Sequence, residues 1–412
     1  MKPVVLFDAG RLLDRSARDA PTGVDRVCLA YAEWLAARRD IRVVPVATVR
    51  NRLRAVDATH YRREIRTVRK RWSGDEPETA NEQALVRALT GQTRGPSILD
   101  VEPGAPPLSL RRVRSVSQAL TSRPLPPPSP GQAYISVGHT ALNTPAILAD
   151  LARRGVSSTI MIHDLIPITH PEFCRPGDRA RHHRRVSYAL RHADRIIVNS
   201  EYTADQLRAF ADREALSTPP VKAIPLGLEP VFLTRGTLPS PAPYFVHVGT
   251  IEARKNLAFL LTLWRRLQER MGPRTPGLVL VGRYGWENEA VLDHLQRSPN
   301  LQGLVHQSAG LSDVSLARLM RGARAVVAPS SVEGFDLPAV EAMAMGVPLI
   351  ASDIPVHREL VSGARLVDPL DGLGWLSALQ AATDSPPVAP AYAPPTWATH
   401  FDQVAAFIGL PV

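Results

Sequence analysis

Glu333 and Glu341 stand eight positions apart in A-V-V-A-P-S-S-V-E-G-F-D-L-P-A-V-E-A-M-A-M-G-V-P-L-I-A-S, Ala325 to Ser352. Glu333 precedes a helix that Pro338 starts and Gly346 ends, and Glu341 falls about one turn inside it. The spacing predicts both carboxylates near the helix N-terminus, beside backbone N–H groups of Gly334, Phe335, Asp336 and Leu337 that suit a phosphate. A carboxylate next to an anion-binding turn needs a reason, because the two repel. A ligand carrying hydroxyls and phosphate together supplies one: carboxylates hold the hydroxyls while amides and cations hold the phosphate. The cations stand in G-T-I-E-A-R-K-N-L, Gly249 to Leu257, where Arg254 and Lys255 head another helix. His163 and Asp164, in H-D-L-I-P, close a further strand. Read alone, the glutamate pair also fits a plain helix with two solvent-facing acids.

The elements that must position these groups alternate in a βα pattern. Short apolar runs at Val4 to Phe7, Ile41 to Val46, Ala133 to Val137, Ser158 to Ile162, Arg195 to Val198 and Val221 to Pro225 read as strands. So do Tyr244 to Val248, Leu278 to Val281, Leu304 to Gln307, Ala325 to Ala328 and Val347 to Ala351. Helical periods lie between them, so the class is α/β with parallel sheets. Carboxyl ends of such strands are where these folds bind ligands. Thr22-Gly23-Val24-Asp25-Arg26 opens a helix after the first strand, and Gly23 lets a ligand approach the backbone. Arg11 to Ala20 reads as a basic loop, and His182 to Arg185 as a solvated helix face without a metal-ligand set.

At 412 residues two domains are expected. The division predicted is residues 1–235, a linker at 236–243, residues 244–395, and a last helix over 396–412. Residues 50–130 are an inserted excursion of helices and loops. Arg50 to Trp72 is dense in arginine with Leu53, Tyr61, Ile65, Val68 and Trp72 interspersed, and P-L-P-P-P-S-P from Pro124 cannot be regular structure. Cys28 and Cys174 show no pairing or metal spacing, and the N-terminal stretch has no signal-peptide layout. The expectation is a reducing cytoplasm. No run reaches the length of a membrane span. A net charge of +10 favours an anionic partner. Nucleic acid is set aside because no reader motif and no basic stretch interleaved with aromatics occurs. Arg50 to Trp72 is either a solvated basic helix or a contact with an anionic membrane surface.

E-G-F-D-L-P-A-V-E with A-M-A-M-G-V-P-L-I-A-S resembles the Glu-x7-Glu motif of retaining glycosyltransferases of the GT-B fold, group 1, family 4-like. G-T-I-E-A-R-K-N and H-D-L-I-P resemble segments of bacterial mannosyltransferases within it. The likeness covers most of the chain and is weak over residues 50–130. It implies two Rossmann-like domains facing each other across a cleft, acceptor side first and donor side second, with the last helix packing back across both. It implies that Glu333 contacts the donor sugar, that Glu341 binds the ribose, and that Arg254 and Lys255 hold the diphosphate. It places His163 against the sugar and acceptor side, and Gly23 and Arg26 beside the diphosphate. Thr250, where some relatives carry arginine, and Arg283 and Tyr284 of the next strand-end loop border the nucleotide. Gly334, Phe335, Asp336 and Leu337 present backbone amides. No Asp-x-Asp triplet occurs, which argues against the metal-dependent GT-A design, so no metal and no cofactor is expected. The expected reaction moves mannose from GDP-mannose, with UDP-sugars and dTDP-rhamnose also open, to a lipid-linked, lipid-diphosphate or growing surface glycan. The enzyme would work in the cytoplasm, on or near the inner face of the membrane. A sugar-nucleotide epimerase of the same fold and a non-catalytic binding subunit are the other classes the residues allow.

Overall fold

The computed structural model describes residues 2–18, 20–73, 80–89, 122–144, 146–236, 242–385, 387–388 and 391–411. Part of the 50–130 excursion, most of the 236–243 linker and part of the Pro386 to Pro395 break lie outside the described residues.

Two parallel sheets carry the chain. The first has strands β1 (Val4–Asp8), β2 (Arg42–Val49), β3 (Arg52–Ala55), β4 (Ala133–Ser136), β5 (Ser157–Ile162), β6 (Arg195–Val198) and β7 (Val221–Ala223). They lie in the order β3-β2-β1-β4-β5-β6-β7, parallel except for β3 on β2. The second has β8 (Tyr244–Val248), β9 (Gly277–Val281), β10 (Val305–Ser308), β11 (Ala325–Ala328), β12 (Leu349–Ser352) and β13 (Arg365–Val367). Their order is β10-β9-β8-β11-β12-β13, parallel throughout. Strands such as β1 and β11 are buried along their whole length because helices cover both faces, which is why they read as unbroken apolar runs. The register Val4↔Arg42 and Val5↔Ala133 sets β1 between β2 and β4, so its carboxyl end faces the same edge as theirs.

Three expectations are corrected. Arg11 to Ala20 is not all loop: Gly10–Arg15 is a helix, because Leu12 and Leu13 go into the core while Arg11 finds Asp25. The basic stretch contributes an edge strand, β3, whose alternating arginines hid it. In the helix Ala58–Ser73, Tyr61, Ile65, Val68 and Trp72 fall at spacings of four, three and four and are all buried in the N-terminal core. Its apolar side is therefore spent inward, and Trp72 donates its indole N–H to the Arg18 carbonyl. Arg62, Arg63, Arg66 and Lys70 stay exposed. His182 is also not on a solvated face: it is buried, and its ring N–H donates to the Asp164 carbonyl at 3.0 Å. No helix among the described residues is long and apolar enough to cross a membrane.

The chain crosses between the two sheets twice, and the crossings meet. The last helix, Trp397–Ile408, leaves the C-terminal sheet and lies on the N-terminal helix Gly23–Ala37. There Trp34 stacks on Phe401 with ring centroids 4.6 Å apart, and Tyr31 hydrogen-bonds His400 at 2.9 Å. Beside it Leu228 bridges Thr396, and Gly227 leaves no room for a Cβ against the Trp397 backbone.

Candidate active site

The two sheets present their carboxyl ends to one cleft. β8 feeds the turn Ala253–Lys255 and the helix Leu257–Met271, which places Arg254 and Lys255 at that helix's head. β11 feeds the loop holding Glu333 and the helix Leu337–Met345. β8 and β11 are neighbours in the sheet, so groups 77 or more positions apart in sequence meet. The Ser331 N–H donates to the Arg254 carbonyl at 2.8 Å and stitches the two loops together.

The charges that meet here form one network. Lys255 Nζ lies 2.6 Å from Glu333 and 3.2 Å from Asp336, and is itself buried. Arg254 pairs with Glu333 and Glu252. Asp336 takes a second partner, His357 Nε2 at 3.1 Å, and the other nitrogen of that ring donates to the Ser352 carbonyl at 2.8 Å. Burial opposes ionisation of Glu333, but Arg254 and Lys255 outweigh it and hold the carboxyl below its usual range. Asp336 is likewise depressed: burial opposes, and Lys255 and the His357 hydrogen bond prevail. Burial works against the His357 cation, and its hydrogen bond to Asp336 reverses this, so the ring is held charged to higher pH than usual. The sequence reading gave cations and carboxylates separate tasks. The structure has them neutralise each other, with Glu252 and His357 as members that reading did not single out. Glu252 stood in a quoted segment and His357 just past the end of another; what was missing was the pairing of β11 with β8 on one side and β12 on the other.

Asp336 caps the helix Leu337–Met345 with a left-handed backbone, φ 65°. That turn leaves the N–H groups of Gly334, Phe335, Asp336 and Leu337 without an acceptor among the described residues. They form an N-terminal cradle of the sort that binds anions.

Glu341 lies deeper on the same helix, 3% exposed. Arg26 enters from the N-terminal domain as a nearby charge and bonds Asp313 at 2.6 Å, with Phe232 under its guanidinium at 5.7 Å. Burial pushes the Glu341 carboxyl up to about 7, with Arg26 countering and Asp313 and Glu229 adding to the rise. The sign follows directly. A carboxyl whose folded pKa exceeds its unfolded value binds protons better when folded, so stability falls as pH rises from about 4.5 to about 7 and is level above. Glu341→Gln is expected to raise stability at pH 8 by up to about 3 kcal/mol and to change little at pH 4.5. Urea unfolding at both pH values reads this out, and equal stability of variant and parent at pH 8 would remove the buried-charge penalty from the account.

The remaining predicted residues divide. Gly23 meets the other domain directly: a Cβ on it would sit 3.3 Å from Leu337 Cδ1. Thr250 backs onto Gly285, and Ile251 bridges Tyr284, so Arg283 and Tyr284 continue the β8–β9 ladder at the edge of the cleft. His163 is buried at the end of β5, its ring N–H donating to Val137 at 2.8 Å, and burial holds its pKa down. Its carbonyl touches Gly334. Ser200, at the end of β6, donates to the Gly334 carbonyl at 2.9 Å, so the glutamate loop rests on the N-terminal strand ends. Glu359 caps the helix Glu201–Arg213 from the other domain, accepting from the N–H groups of Glu201 at 2.8 Å and Tyr202 at 3.0 Å. Trp286 donates to the Phe173 carbonyl at 2.9 Å beneath Arg175. Sequence reading did not find Glu359 or Trp286, since each acts only across the cleft.

Residues 234–369 match the family model of glycosyl transferases group 1. The chain is 29% identical over 230 residues to the serotype-specific mannosyltransferase WbdA of Escherichia coli, covering 50% of this chain and 27% of that protein. It is 31% identical over 225 residues to the O-antigen chain mannosyltransferase B of Escherichia coli, covering 51% of this chain and 56% of that protein. The chain thus spans between about a quarter and about half the length of these relatives. Among solved structures it is similar to Anabaena HepE in complex with UDP and glucose, with 17% identity, a TM-score of 0.58, and 99% and 100% of the two chains covered. The fold is GT-B. The family resemblance drawn from the glutamate stretch is met at the level of group 1.

Proposed function

We propose that this chain is a retaining, metal-independent glycosyltransferase that moves mannose from GDP-mannose to a lipid-linked or growing surface polysaccharide. The observation that carries the reading is the buried network of Arg254, Lys255, Glu333 and Asp336 at the carboxyl edge of the second sheet, set against His163 of the first. The match to group 1 and the similarity to mannosyltransferases support the class and the sugar.

Each part has a task under this reading. The diphosphate lies on the free N–H groups from Gly334 to Leu337, with Arg254 and Lys255 supplying positive charge as the bond from the sugar C1 to the diphosphate oxygen breaks. Glu333, held ionised by those same cations, faces the sugar and stabilises positive charge developing at C1. Glu341 takes the ribose hydroxyls, beside Arg26. The acceptor hydroxyl attacks C1 from the leaving-group side, and its proton passes to the departing diphosphate. His163, kept neutral by burial, holds the sugar side of the cleft without adding a charge that would compete for Glu333. Domain closure excludes water from the activated sugar. The working place proposed is the cytoplasmic face of a membrane, where such acceptors are built.

The test is acceptor-free release of nucleoside diphosphate from a panel of donors, beside Glu333→Gln. Release from GDP-mannose alone, lowered by about 10²-fold or more in the variant, is the expected result. Donor binding with no release, even with crude lipid acceptors present, would turn the reading into a binding subunit. Conversion of the donor to an isomer would make it an epimerase.

A further inference from the structure

An open parallel sheet binds ligands where its strand order reverses. In the second sheet the reversal falls between β8 and β11, and the network of Arg254 and Glu333 sits there. In the first sheet it falls between β1 and β4, and of the residues given roles above only His163 borders that crevice. Its β1 side carries Arg11 and its β4 side Gly138 and His139. Arg11 lies directly on Gly138, where a Cβ would come within 2.7 Å of the Arg11 Cβ. His139 has a left-handed backbone, φ 60°, and its ring is 5.2 Å from that of His163. Arg185 lies one turn past His182 on the helix Asp178–His192 and reaches the loop after β4 at Asn143.

Arg11 gives Nε to Asp25 at 2.8 Å and Nη2 to Thr22 at 3.3 Å. Arg185 gives Nε to the Asn143 side-chain oxygen at 2.7 Å and has no carboxylate partner among the described residues. Nη1 of Arg11 and both terminal nitrogens of Arg185 therefore have no protein acceptor among the described residues. The acids nearby are already engaged. Asp25 holds Arg11, Asp178 holds Arg181, and Asp8 lies beneath, taking the Gly10 N–H and the Ser136 and Thr140 hydroxyls. Arg185 is held below the usual arginine range by burial first and then by Arg181; Asp178 offsets part of this and Arg11 adds to it, so its charge is only partly compensated at rest.

We infer that Arg11 and Arg185 form an anion subsite at the N-terminal crevice, and that it takes a phosphate group of the acceptor. The inference rests on the transferase reading and narrows its acceptor: an uncharged glycan gives these guanidiniums nothing, whereas a phosphate relieves their repulsion through paired charge-assisted hydrogen bonds. Each histidine of the crevice already spends an N–H on a backbone carbonyl: His139 on Met161, His163 on Val137 and His182 on Asp164. In neutral rings the opposite nitrogen is an acceptor, suited to sugar hydroxyls next to the phosphate. The phosphate belongs either to a soluble sugar phosphate or to a lipid diphosphate, both of which put a sugar beside the anion.

Calorimetric titration of inorganic pyrophosphate into the full chain, with GDP or UDP already saturating, tests the subsite. Wild type is expected to bind, Arg185→Gln to bind about tenfold or more weakly, and Arg185→Lys to fall between. A thermal melt confirms that both variants fold. No binding to wild type, or equal binding to Arg185→Gln, overturns the inference. With labelled donor, a sugar 1-phosphate and a detergent-dispersed polyprenyl diphosphate sugar are then compared as acceptors. Arg185→Gln is expected to raise KM for the true one far more than it lowers kcat, and an unchanged KM for both overturns the assignment. Pyrophosphate binding without nucleoside diphosphate release from any donor would leave the subsite standing and defeat the transferase reading.

Discussion

Gly334→Ala is expected to cut turnover by about 10²-fold or more while both domains stay folded. Gly334 has no left-handed backbone angle that would exclude alanine; the obstacle is across the cleft. A methyl there would drive into the His163 carbonyl and come within 2.9 Å of the Asp164 Cβ. Both are parts of the N-terminal sheet edge and cannot turn aside as a flexible side chain would. The loop must retreat, and with it go the Ser200 hydrogen bond and the placement of Glu333 against the N-terminal side. A retreat of about 1 Å is enough for a loss of this size, because catalysis in a two-sided cleft depends on both walls. Urea unfolding should show each domain core intact, and small-angle scattering should show a more open particle. Wild-type turnover in this variant would mean that the observed approach of the two domains is not the one that reacts.

Lys255→Ala should do comparable harm by another route. Its ammonium lies between Glu333 and Asp336, all three nearly or fully removed from water. Without it, two buried carboxylates face each other with only Arg254 and His357 left to balance them. Breaking a buried ion pair from one side costs about 3–5 kcal/mol, and turnover is expected to fall by 10²-fold or more for want of charge at the leaving group, on the order of other electrostatic deletions. The stability loss carries a pH signature. Burial with no lysine raises the carboxyl pKa values, so the variant should recover stability as pH falls and they protonate. Unfolding curves at pH 5 and pH 8 decide it: a deficit equal at both values would contradict the role given to Lys255.

What could be read from the sequence, and what could not, follows from the range of the forces involved. β1, β8, β11 and the helix Leu337–Met345 were legible because each is specified locally, by an apolar run, a Pro at the helix start or a Gly at its end. The helix Gly10–Arg15 was hidden by its arginines, because charge density on one face masks two leucines on the other. The helix Ala58–Ser73 was partly visible, and the destination of its apolar side was not: only the fold shows Trp72 inside. Arg254, Lys255, Glu333 and Asp336 could be singled out by type and place. That they bind one another could not, since strand order decides it. His357, Glu359, Arg185 and His139 escaped for the same reason: alone in the sequence each is an ordinary polar residue.

The meeting of Leu228 with Thr396 has a mechanical consequence. Two lengths of backbone cross between the domains side by side, one leaving the first sheet and one returning to it. A pair of adjacent tethers resists rotation about its own direction far more than a single thread does, while bending across the pair stays easy. The domains should accordingly swing like a door on a short strap hinge and not swivel. Groups far from the strap would travel farthest on opening, and each return stroke would bring the Gly334 loop back to His163 along the same arc.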